Sequence, residues 1–459
     1  MTKCNGQRLL FSRLGPKKIQ ADFDGGQITS DAGALLLREV DRRLGLIDAI
    51  NARIADPRDP RYTIHDQRAM LAQRIFAIAQ GYEDLNDHQA LRDDPLFQII
   101  TNRGIDEQLP LASTPTLWRL ENRVRRDEMA QIVEVFVEQF IASHARPPEQ
   151  IVLDFDATDD PLHGGQEKRF FHGYYDHYCY LPLYVFCGEQ LLVPYLRPSN
   201  IDGAKHSRAI LKLLVKRFRQ AWPDVRIIFR GDSGFCRWRL MRWCDRNGVY
   251  YILGLPQNPV LLREAQPWTV PAEWHHRRTG EKQRLFGVLS YAAETWDRRR
   301  RVIVKAEYNE HGANPRFLVT NMPGDPQVIY DDGYCPRGDM ENRIKEQQLG
   351  LFADRTSAHD FLDNQFRLIL SSAAYVLVEG LRRLGLADTE LAGAQVPTIR
   401  VKLLKIGARI RQSVRRIILH LAGGCPFQDL FRQVATRLTS AAGPQIYPAH
   451  QLQPALTFR

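Results

Sequence analysis

The sequence places acidic side chains at three positions where carboxylates could act together. Asp154 and Asp156 are two residues apart in an apolar run, and on a strand both side chains would project from the same face. Asp232 directly follows a second apolar run and precedes a turn that contains glycine. Glu341 lies in a charged segment with helical spacing. These acids are the residues whose types and positions best fit a shared reaction.

Metal-assisted phosphodiester cleavage is the chemistry that needs three such acids. Two hard cations about 3.5–4 Å apart are held by oxygen ligands, and no nucleophilic side chain is required. The sequence lacks the G-x-x-x-x-G-K-[ST] loop of ATP-driven enzymes. Each acid also has an ordinary structural explanation: Asp154 and Asp156 could end a strand and cap a turn. Asp232 could cap the next helix, and Glu341 could lie on a solvated helix.

The elements that would carry the acids form a mixed α/β core rather than an all-parallel sheet. Strands are predicted over 150–158, 178–186, 190–196, 225–232 and 250–255, with helices over 204–222 and 237–247. The first three strands would form an antiparallel meander. Open α/β sheets carry functional groups at the carboxyl ends of their strands, which is where Asp232 would lie.

Changes in composition divide the chain into five predicted segments. These are an N-terminal helical domain at 1–147, the first part of the core at 148–255, a β-rich insertion at 256–330, the second part of the core with the Glu341 helix at 331–390, and a basic C-terminal helical region at 391–459. The insertion separates the second acid from the third. A helix is predicted over 401–421 in the last segment.

The overall composition excludes several classes of protein. The 459 residues are 44% hydrophobic and 25% charged, which excludes a disordered, fibrous or polytopic membrane protein. The N-terminus lacks the features of a signal peptide. The seven cysteines are odd in number and include no C-x2-C pair, and a disulfide scaffold is implausible at this length. A reducing compartment and a cytoplasmic location are therefore expected.

The net charge of +10 indicates a polyanionic partner, and the basic residues are unevenly spread. Seven basic residues and no acid lie between positions 391 and 428. Such a run is usually a solvated face, but the lack of balancing acids favours contact with phosphates. The candidate DNA contacts are Arg400, Lys402, Lys405, Arg409 and Arg416, of which the last four can share one face of a helix. Residues 298–301 and 17–18 are further candidates.

The order of these features resembles the DDE transposases of bacterial insertion sequences. Tyr334-x2-Arg337-x3-Glu341 matches the first three letters of their Y-x2-R-x3-E-x6-K signature, and Gln348 stands where the lysine is expected. Over about residues 20–425 the chain is similar to the insertion-sequence family numbered thirteen-eighty. That similarity rests on ordered segments at 22–39, 81–88, 91–95, 111–122, 156–166, 230–235, 341–346 and 353–357.

The resemblance implies an α/β ribonuclease-H-like core that binds Mg²⁺ (or Mn²⁺) through three acids. Asp232 would be the second acid and Glu341 the third. Glu346 is the alternative candidate for the third acid. Asp156 fits the Asp-x-Thr pattern of the first acid, and Asp154 is the close alternative.

The resemblance also implies contacts with DNA. Tyr334 and Arg337 would bind a terminal phosphate, and Lys345 could take the place of the missing lysine. A tryptophan of the insertion (Trp268, Trp274 or Trp296) could stack on a flipped base if a hairpin intermediate forms. The N-terminal domain would bind the element ends, although no helix-turn-helix register stands out in it.

The implied activity is cutting at terminal inverted repeats followed by joining of the 3′-hydroxyl ends to target DNA. A bacterial, nucleoid-associated protein that acts as a dimer on DNA is expected, without a membrane partner. Two alternatives remain open from the residues themselves. One is a ribonuclease-H-like nuclease that cuts without joining, and the other is a repurposed DNA-binding protein.

Overall fold

The computed structural model describes residues 9–104 and 109–440 of the chain. Within them, two compact units are present. Unit 1 contains residues 9–47, 56–104, 109–120 and 380–440, and unit 2 contains residues 48–55 and 121–379. The parts of the predicted N-terminal and C-terminal segments at 1–8, 105–108 and 441–459 lie outside the described residues.

The three longest of the described strands lie in unit 2. In chain order they are β1 (Leu9–Leu14), β2 (Lys17–Ala21), β3 (Ile28–Thr29), β4 (Gln150–Ala157), β5 (Asp160–Pro161), β6 (Phe170–His172), β7 (His177–Tyr180), β8 (Leu183–Cys187), β9 (Gln190–Tyr195), β10 (Arg226–Gly231), β11 (Tyr250–Leu255), β12 (Gln283–Tyr291), β13 (Arg300–Asn309), β14 (Gly312–Ala313), β15 (Arg316–Thr320), β16 (Ala408–Ser413) and β17 (Arg416–Leu421).

The helices dominate unit 1 and cover the sheet of unit 2. In chain order they are α1 (Ala34–Leu44), α2 (Leu46–Asn51), α3 (Gln67–Gln80), α4 (His88–Leu91), α5 (Pro95–Ile100), α6 (Thr114–Glu121), α7 (Arg126–Ala142), α8 (Ser207–Ala221), α9 (Trp238–Arg246), α10 (Pro259–Glu264), α11 (Gln266–Thr279), α12 (Pro326–Val328), α13 (Gly338–Lys345), α14 (Phe361–Leu381), α15 (Val396–Ile399) and α16 (Gln428–Ser440). Turns of π-helix (Ile329–Tyr334 and Glu346–Gly350) and one 3₁₀ turn join α12 and α13 into one helical segment, which we name the 326–350 helix.

One large mixed sheet organises unit 2. Its strand order is β12-β13-β15-β11-β10-β4-β8-β9, and β14 pairs with β13. β4, β10 and β11 run parallel, whereas β8 runs antiparallel to β4 and to β9. The strands that follow β11 in space are antiparallel to their neighbours. The fold is therefore a mixed α/β fold, as the sequence predicts.

The two faces of this sheet have different roles. Side chains such as Leu153 and Phe155 of β4 point into the main hydrophobic core with α7 and α8. The opposite face carries a smaller apolar cluster that includes Ile228, Ile252 and, from the 326–350 helix, Tyr330. Because side chains alternate along a strand, the even-numbered residues of β4 and β10 face that helix. The acids at 154, 156 and 232 are on this face.

The predicted elements of 148–255 agree with the structure apart from one strand. The strand expected over 178–186 is two strands, β7 and β8, broken at Pro182, which cannot donate a ladder hydrogen bond. In the segment 256–330, predicted as a β-rich insertion, β12, β13 and β15 match the predicted strands, whereas two helices are additional. The helices α10 and α11 were missed because of their prolines. Pro259 and Pro267 lie in first turns, where a missing N–H has no cost.

The helix predicted over 401–421 is wrong. Beyond Leu404 the chain forms an antiparallel hairpin of β16 and β17, and Ala408 and Arg409 pair with β3. Arg409 and Arg411 are exposed and Ala408 and Ile410 are buried, which is a period of two residues. The apolar residues of this segment also fit helical spacing, so pairing with the distant strand β3 selects the hairpin over a helix.

Among the helices that the structure describes, none combines the length and the apolar character needed to span a membrane.

Candidate active site

Asp154 is held by an arginine of the neighbouring strand. The parallel register of β4 and β10 sets Asp154 opposite Arg230, whose Nη2 donates to Oδ2 of Asp154 at 2.7 Å and whose Nε donates to Oδ1. Nη1 of Arg230 donates to the carbonyl of Gly333 at 2.7 Å. Burial raises the pKa of Asp154 although the hydrogen bonds from Arg230 lower it. Asp154 therefore forms a buried ion pair with Arg230.

Asp156 lies two residues further along the same face of β4. Continuing the register past the Asp154–Arg230 pair brings Asp156 beside Asp232, at the carboxyl ends of β4 and β10. Oδ1 of Asp156 accepts the backbone N–H of Ala157 at 2.9 Å. Its Oδ2 is 3.7 Å from Nη1 of Arg337. Both acids lie on the face of β4 that the 326–350 helix covers, but Asp154 is paired with Arg230 of β10, whereas Asp156 lies near Arg337 of the helix.

The electrostatics of Asp156 show that other acids are near. Burial raises the pKa of Asp156 to about 7. The guanidinium of Arg337 lowers it, and the negative charges of Asp232 and Glu341 raise it. These carboxylates come from β4, from the end of β10 and from α13. The fold therefore gathers the three predicted acids from distant parts of the chain.

Asp232 ends β10 and starts a tight turn. Its Oδ1 accepts the backbone N–H of Gly234 at 2.8 Å, so the capping role is present. Behind it, Gly254 of β11 leaves no room for a side chain. A Cβ at Gly254 would lie 2.8 Å from the hydroxyl of Tyr334 and 3.2 Å from the carbonyl carbon of Asp232. This close approach lets Tyr334 reach Asp232.

Arg337 and Glu341 are one helical turn apart on the 326–350 helix. Nη2 of Arg337 donates to Oε1 of Glu341 at 2.6 Å. The side chain of Glu341 is 46% exposed, against 17% for Arg337. Turns of π-helix lie on both sides of α13, and such turns occur frequently at functional sites.

Arg337 is the cation at the centre of the candidate site. Burial alone would lower its pKa, but the phenol of Tyr334 and the three carboxylates around it together raise it. The predicted site residues Tyr334, Arg337 and Glu341 therefore contact the same region as Asp156 and Asp232.

The donor chemistry of the site fits a hard cation. Carboxylate oxygens are the ligands that Mg²⁺ prefers. Within the described ranges, no group of three or more His, Cys, Asp or Glu side chains is close enough to hold a metal ion. The positive charge between the acids is instead the guanidinium of Arg337. Because burial and nearby acids raise the pKa of Asp156, a cation placed there would favour the ionised carboxylate.

The remaining predicted residues of the 326–350 helix have different surroundings. Lys345 is exposed, and Glu346 is half-buried. Gln348, which replaces the lysine of the family signature, donates from Nε2 to the carbonyl of Asp159 at 3.0 Å. The carboxylate of Asp159 lies 2.9 Å from Nε2 of His177. Gln348 therefore supports the chain segment that follows β4.

Two of the five basic C-terminal candidates have structural roles within unit 1. Arg400 donates from Nε to the carbonyl of Ala79 at 3.1 Å, and burial lowers the pKa of Arg400 to about 10. Nζ of Lys405 lies 2.5 Å from Oδ1 of Asp31 and 4.0 Å from the ring centroid of Tyr82. Arg400 and Lys405 therefore both stabilise the fold of unit 1.

The other three basic candidates have different surroundings. Nζ of Lys402 lies 5.0 Å from the ring centroid of Phe427. Arg409 and Arg416 are exposed on the β16–β17 hairpin. The shared helical face expected for these residues does not exist, because the helix is absent.

The three tryptophans of the predicted insertion also differ in their packing. The ring of Trp268 packs against Gly287, where a Cβ would lie 2.0 Å from Cε2. Trp296 packs edge-on against Tyr291. Trp274 is 51% exposed, with the guanidinium of Arg278 at 4.4 Å from its ring centroid. Of these three, Trp274 is the most exposed.

One residue of the site, Arg230, and one buried acid outside it, Asp160, were not recognised in the sequence. Arg230 pairs with Asp154. Its position at the end of the apolar run before Asp232 is the sequence feature that could have identified it. Asp160 is buried with 1% exposure, and burial raises its pKa well above the ordinary value. No local pattern distinguishes it from Asp159.

Comparisons with known proteins show the family of the chain. No curated protein matches the chain. Among solved structures, the chain is similar to the piggyBac transposase in its synaptic complex with hairpin DNA, with a TM-score of 0.39 and 11% identity over 87% of this chain and 83% of that chain. The model of the family "Transposase DDE domain group 1" matches residues 11–442. The chain therefore belongs to this family of DDE transposases.

Proposed function

We propose that the chain is a Mg²⁺-dependent transposase that cuts DNA at the terminal inverted repeats of an insertion sequence and joins the 3′-hydroxyl ends to target DNA. The observation that carries this proposal is the convergence of three carboxylates on one guanidinium, that of Arg337. Membership of the DDE transposase family supports it. In this proposal Asp156, Asp232 and Glu341 are the catalytic acids, and Asp154 has a structural role.

The order of the central strands supports a ribonuclease-H-like core. Read across the sheet, β9-β8-β4-β10-β11 is the order three-two-one-four-five, and β8 alone runs against the other four. In this layout the first and fourth strands are neighbours, and their ends carry Asp156 and Asp232. The segment that includes β12, β13 and β15 is then the insertion between the second and third acids.

Asp156, Asp232 and Glu341 would hold Mg²⁺ (or Mn²⁺). Bound metal supplies Lewis-acid stabilisation of the reacting phosphate and lowers the pKa of water. Because Arg337 now binds Glu341, all three acids can serve as ligands only after this ion pair opens. Arg337 would then be free to contact a DNA phosphate, together with Tyr334.

The proposed reaction has two transfers. Water attacks the phosphodiester at the element end, and the bond to the 3′-oxygen breaks to leave a 3′-hydroxyl and a 5′-phosphate. The 3′-oxygen then attacks a target phosphodiester, and a target 3′-hydroxyl leaves. Lys345, which is exposed one turn beyond Glu341, would contact the same backbone. Trp274 is the candidate to stack on a flipped base.

The finer assignments follow from the sequence resemblance. We place the chain in the insertion-sequence family numbered thirteen-eighty, acting on DNA in the bacterial nucleoid. Cutting at two ends calls for two active sites, so a dimer on DNA is expected.

The test uses the full chain with DNA that carries the inverted repeats flanking its coding region. Cutting and joining in Mg²⁺, and neither in EDTA, is the expected result. Asp232→Asn should abolish both reactions while DNA binding persists. Cutting without joining would favour a ribonuclease-H-like nuclease instead. Binding without cutting would favour a repurposed DNA-binding protein.

A further inference from the structure

The β16–β17 hairpin of unit 1, residues 408–421, has one strongly basic face. Cross-strand pairs put Arg409 opposite His420 and Arg411 opposite Ile418. The alternating residues Ala408 and Ile410 of β16 are buried on the other face. We name this segment the basic ribbon.

The arginines of the basic ribbon have no acidic neighbours that neutralise them. In the part of the chain that the structure describes, Arg409, Arg411 and Arg416 are exposed, and none takes part in an ion pair. Arg415 lies in the turn, also exposed. This contrasts with Lys405 nearby, which is bound to Asp31. The exposed arginines are therefore available to an external anion.

The shape of the basic ribbon is that of a free two-stranded element. Strand β3 pairs only with Ala408 and Arg409, so beyond Ile410 the described strands leave both edges of the ribbon unpaired. A two-stranded antiparallel ribbon has the width that the major groove of B-DNA admits. Residues two apart on a strand are separated by about 6.8 Å, which equals about two base-pair steps of 3.4 Å. Arg409 and Arg411 would therefore be about two base-pair steps apart along the DNA axis if the ribbon lay parallel to it.

We propose that the basic ribbon binds duplex DNA through its arginine face, lying along a groove. This inference deepens the proposed function, on which it rests for the identity of the polyanion. Three unpaired arginines on one face, with no acid in the surrounding stretch, supply the charge complementarity. A solvated face that merely prevents edge-to-edge aggregation is the competing explanation.

The test measures duplex DNA binding of the full chain as a function of salt, without Mg²⁺, so that no cutting occurs. The variant is the triple substitution Arg409→Gln, Arg411→Gln and Arg416→Gln. Each lost phosphate contact should reduce the slope of log K against log salt by about 0.9, so three contacts reduce it by about 2.7. If the affinities converge at 1 M salt, this is a loss of about 500-fold at 0.1 M.

The matched control removes the same charge from another exposed face. Arg208, Lys212 and Lys216 lie at four-residue intervals on α8 and are exposed. Their replacement by glutamine lowers the net charge equally, and the slope should change by less than about 0.9. A ribbon variant whose slope also changes by less than that, or whose oligomeric state changes instead, would overturn the proposal.

Failure of this inference can be distinguished from failure of the proposed function. If the wild-type chain cuts and joins DNA and the triple variant binds DNA normally, only the proposal about the basic ribbon is refuted. A wild-type chain that binds duplex DNA through the ribbon but neither cuts nor joins refutes the transposase assignment alone. Replacing the three arginines by lysine should keep the salt slope, because phosphate contacts need charge rather than a planar fork.

Discussion

Asp154→Asn is expected to destabilise the protein, whereas Asp156→Asn is expected to be stable and inactive. In the first variant the guanidinium of Arg230 stays buried and loses the carboxylate that accepts two of its hydrogen bonds. The two side chains are 3% and 9% exposed, so the remaining charge cannot be solvated without disrupting the sheet. Breaking a buried pair from one side costs about 3–5 kcal/mol. At about 2–4 °C per kcal/mol for a large domain, the melting temperature should fall by about 6–20 °C.

Asp156→Asn should behave in the opposite way. Since burial raises the pKa of Asp156 to about 7, the folded protein favours the neutral form of this side chain, which asparagine mimics. The free energy of unfolding should therefore stay unchanged or rise. The loss of one proposed metal ligand removes several kcal/mol of transition-state stabilisation, so cleavage should fall by roughly a thousandfold or more.

The assay combines thermal melts with single-turnover DNA cleavage at a temperature where the variants remain folded. The control is the double variant Asp154→Leu with Arg230→Met, because apolar replacement of a buried pair commonly restores stability. This double variant should fold and still cut. A double variant that folds but does not cut would refute the structural role of Asp154, and so would Asp154→Asn with a normal melting temperature and no cleavage.

Three further outcomes test other parts of the structure. Burial raises the pKa of Asp363 to about 6, so the folded protein loses stability as the pH rises from the ordinary value of about 3.9 to about 6. Asp363→Asn should therefore raise the free energy of unfolding by about 1 kcal/mol at pH 8, allowing for solvent screening, and leave it unchanged at pH 3; urea melts at both pH values check this. Gly287→Ala places a Cβ against the ring of Trp268 and should destabilise the protein by about 1–3 kcal/mol, measured by thermal melts. Lys405→Met leaves Asp31 without its cation and should cost about 1.5–3 kcal/mol in urea melts, whereas a lysine used only for DNA would leave stability unchanged.

The sequence by itself determines the local elements of the core. The apolar runs that carry Asp156 and Asp232 are strands, and Glu341 lies on a helix, because hydrophobic periodicity reflects which side of an element is buried. The same reasoning fails where two periods fit equally well. Residues 408–421 satisfied a helical pattern, and only pairing with β3 selects the hairpin.

The tertiary structure decides which charged groups meet. Strand periodicity does not distinguish Asp154 from Asp156, since both lie on one face of the same strand. Arg230 binds the first and Arg337 faces the second, and these arginines are distant in the chain from β4. Likewise, the count of basic residues from Arg400 to Arg416 does not show that Arg400 and Lys405 are used inside unit 1. Charge is a property of composition, but its availability to a partner depends on which opposite charges the fold brings within a few ångströms.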